Sequence, residues 1–371
     1  MDRSRGRWTR TPVPILVAFV AFVGTACSSG TPAPKPSSFE AATSGPASPS
    51  PTATTGGASP APVASPSPAT TSAPSPSPAA GPSPLAQGVG LVVPTGSQPC
   101  ASVQGGGSMW VTDYGEGQIE QIDPKTNTVV NAYEVDGTPC GIVLVDGSLW
   151  VGAVGDRVVD RVNPATGEIV NRVSLDGKVY DVQAGFGSVW AVSRDGGDLV
   201  RIDPATAKIV ATVPIGTLLY GLAVTPEGVW VTAQLENTVV RVDPKTNKVV
   251  DTIHDPVDQP FTFAATPGAL WVSHQNGTVS ELDTKTDKWV AKVKAGGAGQ
   301  PGDPDSADGS VWYPDGVSGD LVRIDPKTAQ VTARVALGSG FSVAQAGFGS
   351  VWVADFSTSG IARVDPSRVA E

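Results

Sequence analysis

Four residues of this 371-residue chain share one place in a recurring pattern and carry side chains suited to acid–base or metal chemistry. Asp113, His274, Asp315 and Asp355 each stand three residues after a tryptophan, where the other copies hold Ala153, Ser193 and Ala233. Carboxylates and an imidazole so placed could bind a divalent cation or orient a water, with His274 as the candidate catalytic base. The competing reading is local: an Asp at that place caps the turn that follows. Two further carboxylates, Asp303 and Asp305, stand where other copies mostly carry small or apolar residues. They read either as a cation site or as hydrated groups in a channel, because a buried carboxylate needs partners or water. Ten residues before each tryptophan stand Cys100, Cys140, Tyr180, Tyr220, Phe261, Gly302 and Ser342. The three aromatics could stack on a ring, a sugar or a cation, or could equally plug the space they surround. Cys100 and Cys140 are one repeat apart, and read as a disulfide or as two small buried thiols.

The elements that must position these residues follow from the repeat itself. Trp110, Trp150, Trp190, Trp230, Trp271, Trp312 and Trp352 are spaced by 40 or 41 residues, and an Asp or Asn follows each by 12 or 13. Seven copies in one register at a period near 40 mark propeller blades or helical repeats. The segments are short, rich in Val and Ile, and cut by Gly and Pro every 8 to 12 residues, so the expectation is all-β. Each copy reads as four strands, a to d. In the second copy these are "CGIVLVD", "SLWVGAV", "RVVDRVN" and "EIVNRVSL". Asp-Pro-x-Thr closes the c–d turn, with Asp bonding backbone two residues on and Pro presetting the next dihedral. An orphan strand "GLVVP" (Gly90 to Pro94) opens the repeat region, and the chain stops after a strand c with no d. Pairing the two would complete a seventh blade and leave no open edge. Blades 5, 6, 7 and 1 would then be neighbours, placing His274, Asp315, Asp355 and Asp113 on one arc of the face that holds the d–a and b–c loops. Two of the d–a connections there are long, "HDPVDQPF" and "AGGAGQPGDPD".

The stretches "WVTD" (Trp110 to Asp113), "WVAD" (Trp352 to Asp355) and "VVRVDPKTNKVVDTI" (Val239 to Ile253) resemble YVTN-type β-propeller repeats. The resemblance covers residues 88 to 371 and implies a seven-bladed β-propeller. Streptogramin lyases look similar, with seven blades and a related Gly-x-x-x-Arg-x-Asp-Pro pattern, although their strand b resembles "WFTE" more than "WVTD". That second resemblance implies a histidine base working with a carboxylate and a metal ion. Here His254 and His274 are 20 residues apart, so they occupy different places in a blade. One fold hosts many functions, and the repeat speaks for architecture more than for activity.

The N-terminus is organised differently. Arg3, Arg5, Arg7 and Arg10 precede a 12-residue apolar run, Ile15 to Ala26, too short to span a bilayer, and then Cys27. The order basic, apolar, small, Cys in residues 1–27 resembles a bacterial lipoprotein signal peptide with Cys27 as the lipidated residue. Gly24 stands where such signals favour an aliphatic residue, and plain secretion is the alternative. Residues 28–87 include fifteen prolines among Ser, Thr, Ala and Gly, a composition that cannot bury a core. As a disordered tether it would span roughly 45 Å as a coil and about 190 Å extended. Five of the 25 basic and two of the 35 acidic residues precede residue 88, so the remainder carries a net charge of −13. That balance repels phosphate backbones and argues against nucleic acid.

The expectation is an extracytoplasmic, membrane-anchored monomer at the cell envelope. It would act as a binding or scaffold module for a protein, peptide or glycan. The enzymatic alternative is a metal-assisted lyase or hydrolase with His274 as base and no cofactor beyond a divalent cation. Trp289, where other strands d carry Thr, Glu, Lys or Gln, is expected on the outer rim.

Overall fold

Runs such as "MWV", "LWV" and "VWV" are apolar on both sides of the pleat, and such a strand is stable only when both faces of its sheet are covered. The computed structural model describes residues 81–135, 137–257 and 259–370, and in it every residue of all seven strands b is buried. Blade 1 runs from strand a (Pro99–Gly105) through b (Ser108–Asp113) and c (Gln118–Asp123) to d (Thr128–Glu134), each antiparallel to the next. Blades 2 to 6 repeat that order, so the described residues form seven stacked sheets, an all-β seven-bladed propeller. Strands a lie innermost, each beside the strand a of the next blade: Pro139–Val145, Val179–Gly185, Leu219–Thr225, Pro260–Thr266, Asp305–Ala307 and Phe341–Gly347.

The tryptophan of strand b joins one blade to the next. Trp110 packs with Ile119 of its own blade and with Ile142, Leu149 and Val162 of blade 2, and Trp190 packs in the same way against Leu222 and Val229 of blade 4. Six of the seven indoles are fully buried. At 150–250 Å² per ring, each removes roughly 4–6 kcal/mol worth of apolar surface from water before entropy is counted. Directly across the ladder from five of them stands an arginine, with its guanidinium 5.0 to 5.6 Å from the ring centroid. Arg201 and Arg363 reach on into the neighbouring blade's c–d turn. There Arg201 donates to Pro244 O and Asn247 Oδ1, and Arg363 donates to Pro124 O and Asn127 Oδ1. The turn is built for this contact. Its first Asp or Asn accepts the backbone N–H two residues on, as Asp123 does from Lys125 and Asp243 from Lys245, both at 2.9 Å. Asn127 and Asn247 then adopt left-handed backbone, which Asn tolerates.

The Arg363 contact joins blade 7 to blade 1, and the ring is completed by the N-terminal strand. Gly90–Ser97 pairs with Ser359–Val364, in the register Gly90↔Val364 to Val93↔Ile361, and so supplies strand d of blade 7. A bulge follows Val93 and carries the strand to Ser97. A short outer strand, Ser83–Pro84, pairs with Val92 and Leu91, and Leu85 is buried beside Val89 against blades 6 and 7. The folded part thus begins a few residues before the boundary expected at residue 88. Cys27, the expected signal segment 1–27 and the part of the expected tether up to residue 80 lie outside the described residues.

Deleting Gly90 to Pro94 should strip strand d from blade 7 and leave Ser359–Val364 as an open edge. The expected outcome is a lowered, broadened thermal transition by circular dichroism, with aggregation. A variant that melts like its parent would show that closure rests elsewhere.

Candidate functional site

Strands a of all seven blades enclose a central cavity of about 740 Å³, which reaches the b–c and d–a loops of one face. That size suits a ligand of ordinary metabolite or drug dimensions. Its wall is assembled from three positions of the repeat.

The first position, ten residues before each tryptophan, forms the mouth. Cys100 and Cys140 are joined by a disulfide with Cα atoms 5.0 Å apart, linking strands a of blades 1 and 2. Closing a loop of 40 residues stabilises the ring by about 3–4 kcal/mol in the chain-entropy picture. Tyr180, Tyr220 and Phe261 continue round the rim, with centroids 6.5 Å apart for the first pair and 4.6 Å for the second.

The second position lies four residues after the tryptophan, at the start of the b–c turn. It places Tyr114, Arg194, Gln234, Gln275 and Phe356 in the cavity wall. Tyr114 and Phe356 pack at 5.3 Å. The Arg194 guanidinium lies 4.8 Å from the Tyr180 ring and 4.3 Å from the Tyr220 ring, and donates to the Tyr220 hydroxyl. Burial pushes the Tyr180 hydroxyl up, against the opposing pull of Arg194.

The third position, near the start of strand a, supplies the floor. Asp181 and Asp303 both stand nine residues before a tryptophan, and Asp305 lies two further on. Each carboxylate reaches an adjacent blade. Asp181 accepts from Leu222 N–H at 3.0 Å, Asp303 from Thr262 Oγ1 at 3.0 Å, and Asp305 from Ala346 N–H at 2.7 Å and Gln345 Nε2 at 2.9 Å. Asp181 and Asp303 are half-buried in the cavity wall. Burial pushes both up to about 7, and the charge of Asp303 adds to the rise at Asp181. Asp305 is raised by the same cause. Among the described residues no group of three or more His, Cys, Asp or Glu side chains is arranged to hold a metal ion. The oxygens of Asp303 and Asp305 meet neutral donors instead.

The arc expected three residues after the tryptophans resolves into separate local arrangements. Asp355 accepts from the N–H and hydroxyl of Ser357 and of Thr358, and Asp315 from Gly297 and Val317 N–H and from Ser318 Oγ. Both carboxylates hold their own turns. His274 is fully buried, with Nε2 2.8 Å from Asp255 Oδ2 and Nδ1 3.1 Å from Thr278 O. Both ring nitrogens are thus engaged, Nδ1 by a carbonyl and Nε2 by a carboxylate. Neither nitrogen is left to serve as a base toward a ligand. The third residue ends strand b and is buried with it, whereas the fourth opens the b–c turn and meets the cavity.

Asp113 is the exception within that set. It is wholly buried beside Glu120, and neither of its carboxylate oxygens meets a hydrogen-bond partner among the described residues, while the Gly96 N–H donates to Glu120 Oε1 at 3.2 Å. Burial raises Asp113 to about 9, with the charges of Glu120 and Glu116 adding to it. Burial likewise raises Glu120 to about 7, against the pull of Gly96 N–H. Trp289 is half-buried, not free on the rim: it packs against Leu282, and its indole N–H donates to His254 O at 2.9 Å.

No protein-family model matches this sequence, and no curated protein matches it. Two solved structures are similar. One is described as a streptogramin B lyase, at 17% identity and a TM-score of 0.63 over 74% of this chain and 96% of that one. The other is selenomethionine-substituted virginiamycin B lyase from Staphylococcus aureus, at 15% identity and a TM-score of 0.64 over 72% and 95%. At these identities the likeness is one of fold.

The carboxyl pair of Asp113 and Glu120 binds its protons more tightly in the folded chain than in the unfolded one. The stability it confers is therefore complete below about pH 4 and is lost as pH rises through about 7 and 9. Asp113→Asn removes that dependence at one site. Relative to the parent, its urea midpoint should improve steadily from pH 6 to pH 9. A constant difference over that range would show that the pair does not titrate in this window.

Proposed function

We propose that this chain is an extracytoplasmic binding module, held at the cell envelope by a lipid on Cys27 and presenting the aromatic-rimmed cavity of its top face to a ligand. The observation that carries the reading is the composition of that cavity. Tyr114, Tyr180, Tyr220, Phe261 and Phe356 ring its mouth, on loops and inner strands where the seven copies differ most, above a polar floor. A rigid scaffold with variable loops at one face is a common way to build a binding surface. The placement outside the cytoplasm is supported by the basic, apolar, small, Cys order of the N-terminus, by the long Pro-rich segment after it, and by the Cys100–Cys140 bridge, which suits an oxidising compartment. The YVTN-type repeat agrees with such a module.

The two similar structures described as lyases make the enzymatic alternative worth stating. A metal-assisted lyase or hydrolase of that kind would need a base facing its ligand. Neither His254 nor His274 lines the cavity, and His274 is enclosed by Asp255 and Thr278. The reading argued here is therefore one of binding.

A thermal-shift screen of the protein against sugars, amines and cell-wall fragments tests the site. Any compound that raises the parent's melting temperature should lose its effect in Phe261→Ala and Tyr220→Ala. Shifts that persist in both variants would place binding elsewhere.

The anchor is tested separately. Cys27→Ser should move the protein from the membrane fraction into the medium. Equal membrane association of variant and parent would leave plain secretion or another attachment.

A further inference from the structure

Three carboxylates with no cation form the floor of the cavity. Asp181, Asp303 and Asp305 take their hydrogen bonds from Leu222 N–H, Gln183 Nε2, Thr262 Oγ1, Ser306 N–H, Gln345 Nε2 and Ala346 N–H, all neutral donors. No ion pair among the described residues reaches them. The one basic side chain in the cavity wall, Arg194, is held at the rim between Tyr180 and Tyr220. Desolvated carboxylates without a counter-charge are unstable unless they take up protons or gain a cation. Asp303 is the least satisfied, with one hydroxyl donor at 3.0 Å.

We propose that the cavity takes a small ligand carrying a protonated amine, with the ammonium seated between Asp303 and Asp181 on the floor and the apolar body against the Tyr220 and Phe261 rings. The proposal rests on the reading of this cavity as the binding site. An ammonium supplies the charge the floor lacks, and three N–H donors suit oxygens that already accept from one side. The aromatic rim suits an apolar or ring-bearing body, and a cation passing it gains from the ring faces. A neutral sugar could use the same rim but would leave the floor uncompensated.

The groups facing the floor are few. Asp181, Asp303 and Asp305 line one cavity, Asp303 lies close enough for its charge to act on Asp181 and on Tyr313 of strand b in blade 6, and Arg194 and Tyr180 stand at the mouth. The carboxyls of Asp181 and Asp303, both raised to about 7, ionise between pH 6 and pH 8, whereas an alkylamine stays charged. Amine affinity should therefore rise with pH.

The test is calorimetric titration of the purified protein with phenethylamine, with N-acetylphenethylamine as the same ring and chain without charge, and with maltotriose, at pH 6 and pH 8. The expected result is binding of phenethylamine alone, about tenfold tighter at pH 8, as a carboxyl with a value near 7 goes from roughly one-tenth to nine-tenths ionised. Asp303→Asn keeps an acceptor for Thr262 and should lose about tenfold in affinity at pH 8 and most of the pH dependence. Asp181→Asn, an independent variant in another blade, should lose part of both. Similar affinities for phenethylamine and its acetyl form, no rise with pH, or no amine binding at either pH would overturn the amine assignment. If maltotriose binds instead and Phe261→Ala abolishes it, the cavity reading survives and the amine class does not. If phenethylamine binds and neither Phe261→Ala nor Asp303→Asn weakens it, the site lies elsewhere and both readings fall.

Discussion

Strand b of every blade is buried along its whole length, and that burial exists only because another blade lies on either side. No blade can cover its own tryptophan: Trp110 needs Ile142 and Leu149, and Trp190 needs Leu222 and Val229. The stack therefore has to return to its starting point, or one apolar face would remain open. Closure is achieved twice over. Gly90–Ser97 completes the sheet of blade 7 through the ladder, and Arg363, lying over Trp352, reaches the c–d turn of blade 1. The arginine-to-turn contact that joins blades 3 and 4 through Arg201 and Asn247 recurs at this seam, so it is built from the repeat's own parts.

With sheets b to d committed to packing, the inner wall is where the copies are free to differ. Strands a must still be tied to one another, since apart from a single backbone bridge between Asp303 and Val343 the described residues of neighbouring blades pair no strands there. The ties vary round the ring: a disulfide and Thr112 Oγ1 to Cys140 O at blades 1 and 2, Asp181 to Leu222 at 3 and 4, Thr232 Oγ1 to Phe261 O at 4 and 5, Asp303 to Thr262 at 5 and 6, and Asp305 to Ala346 at 6 and 7. The same carboxylates that stitch the wall also face the cavity. This double role explains how charged groups persist in so enclosed a place: each keeps neutral donors that hold its position, while its charge remains available to an incoming partner.

The seam between blades 7 and 1 carries a second enclosed acid pair, Asp113 with Glu120, lying under Gly96 of the closing strand. A side chain at Gly96 would bring its Cβ to 2.8 Å from a carboxylate oxygen of Asp113 and of Glu116, and those side chains would have to shift to admit it.

The sequence alone determined the architecture. A spacing of 40 or 41 residues between tryptophans, the Asp-Pro-x-Thr turns and the orphan strand at Gly90 specify seven four-stranded blades and their closure, because these signals are local and repeat in register. The rim aromatics Tyr180, Tyr220 and Phe261 were legible too, as variation at one repeat position. What the sequence did not resolve was side-chain direction at the end of strand b. His274, Asp315 and Asp355 have the residue types of a site, yet they end their strands in buried or local hydrogen bonds, and in five copies the residue that opens the turn, such as Tyr114, Arg194 or Phe356, lines the cavity. Asp181 was overlooked although it occupies the same repeat position as Asp303, nine residues before its tryptophan. Its significance appears only when blades 3 and 6 are brought round one channel, where burial and the charge of Asp303 act on it together. Local pattern dictates which strands form, whereas the sharing of a cavity by residues more than a hundred positions apart is a property of the closed ring.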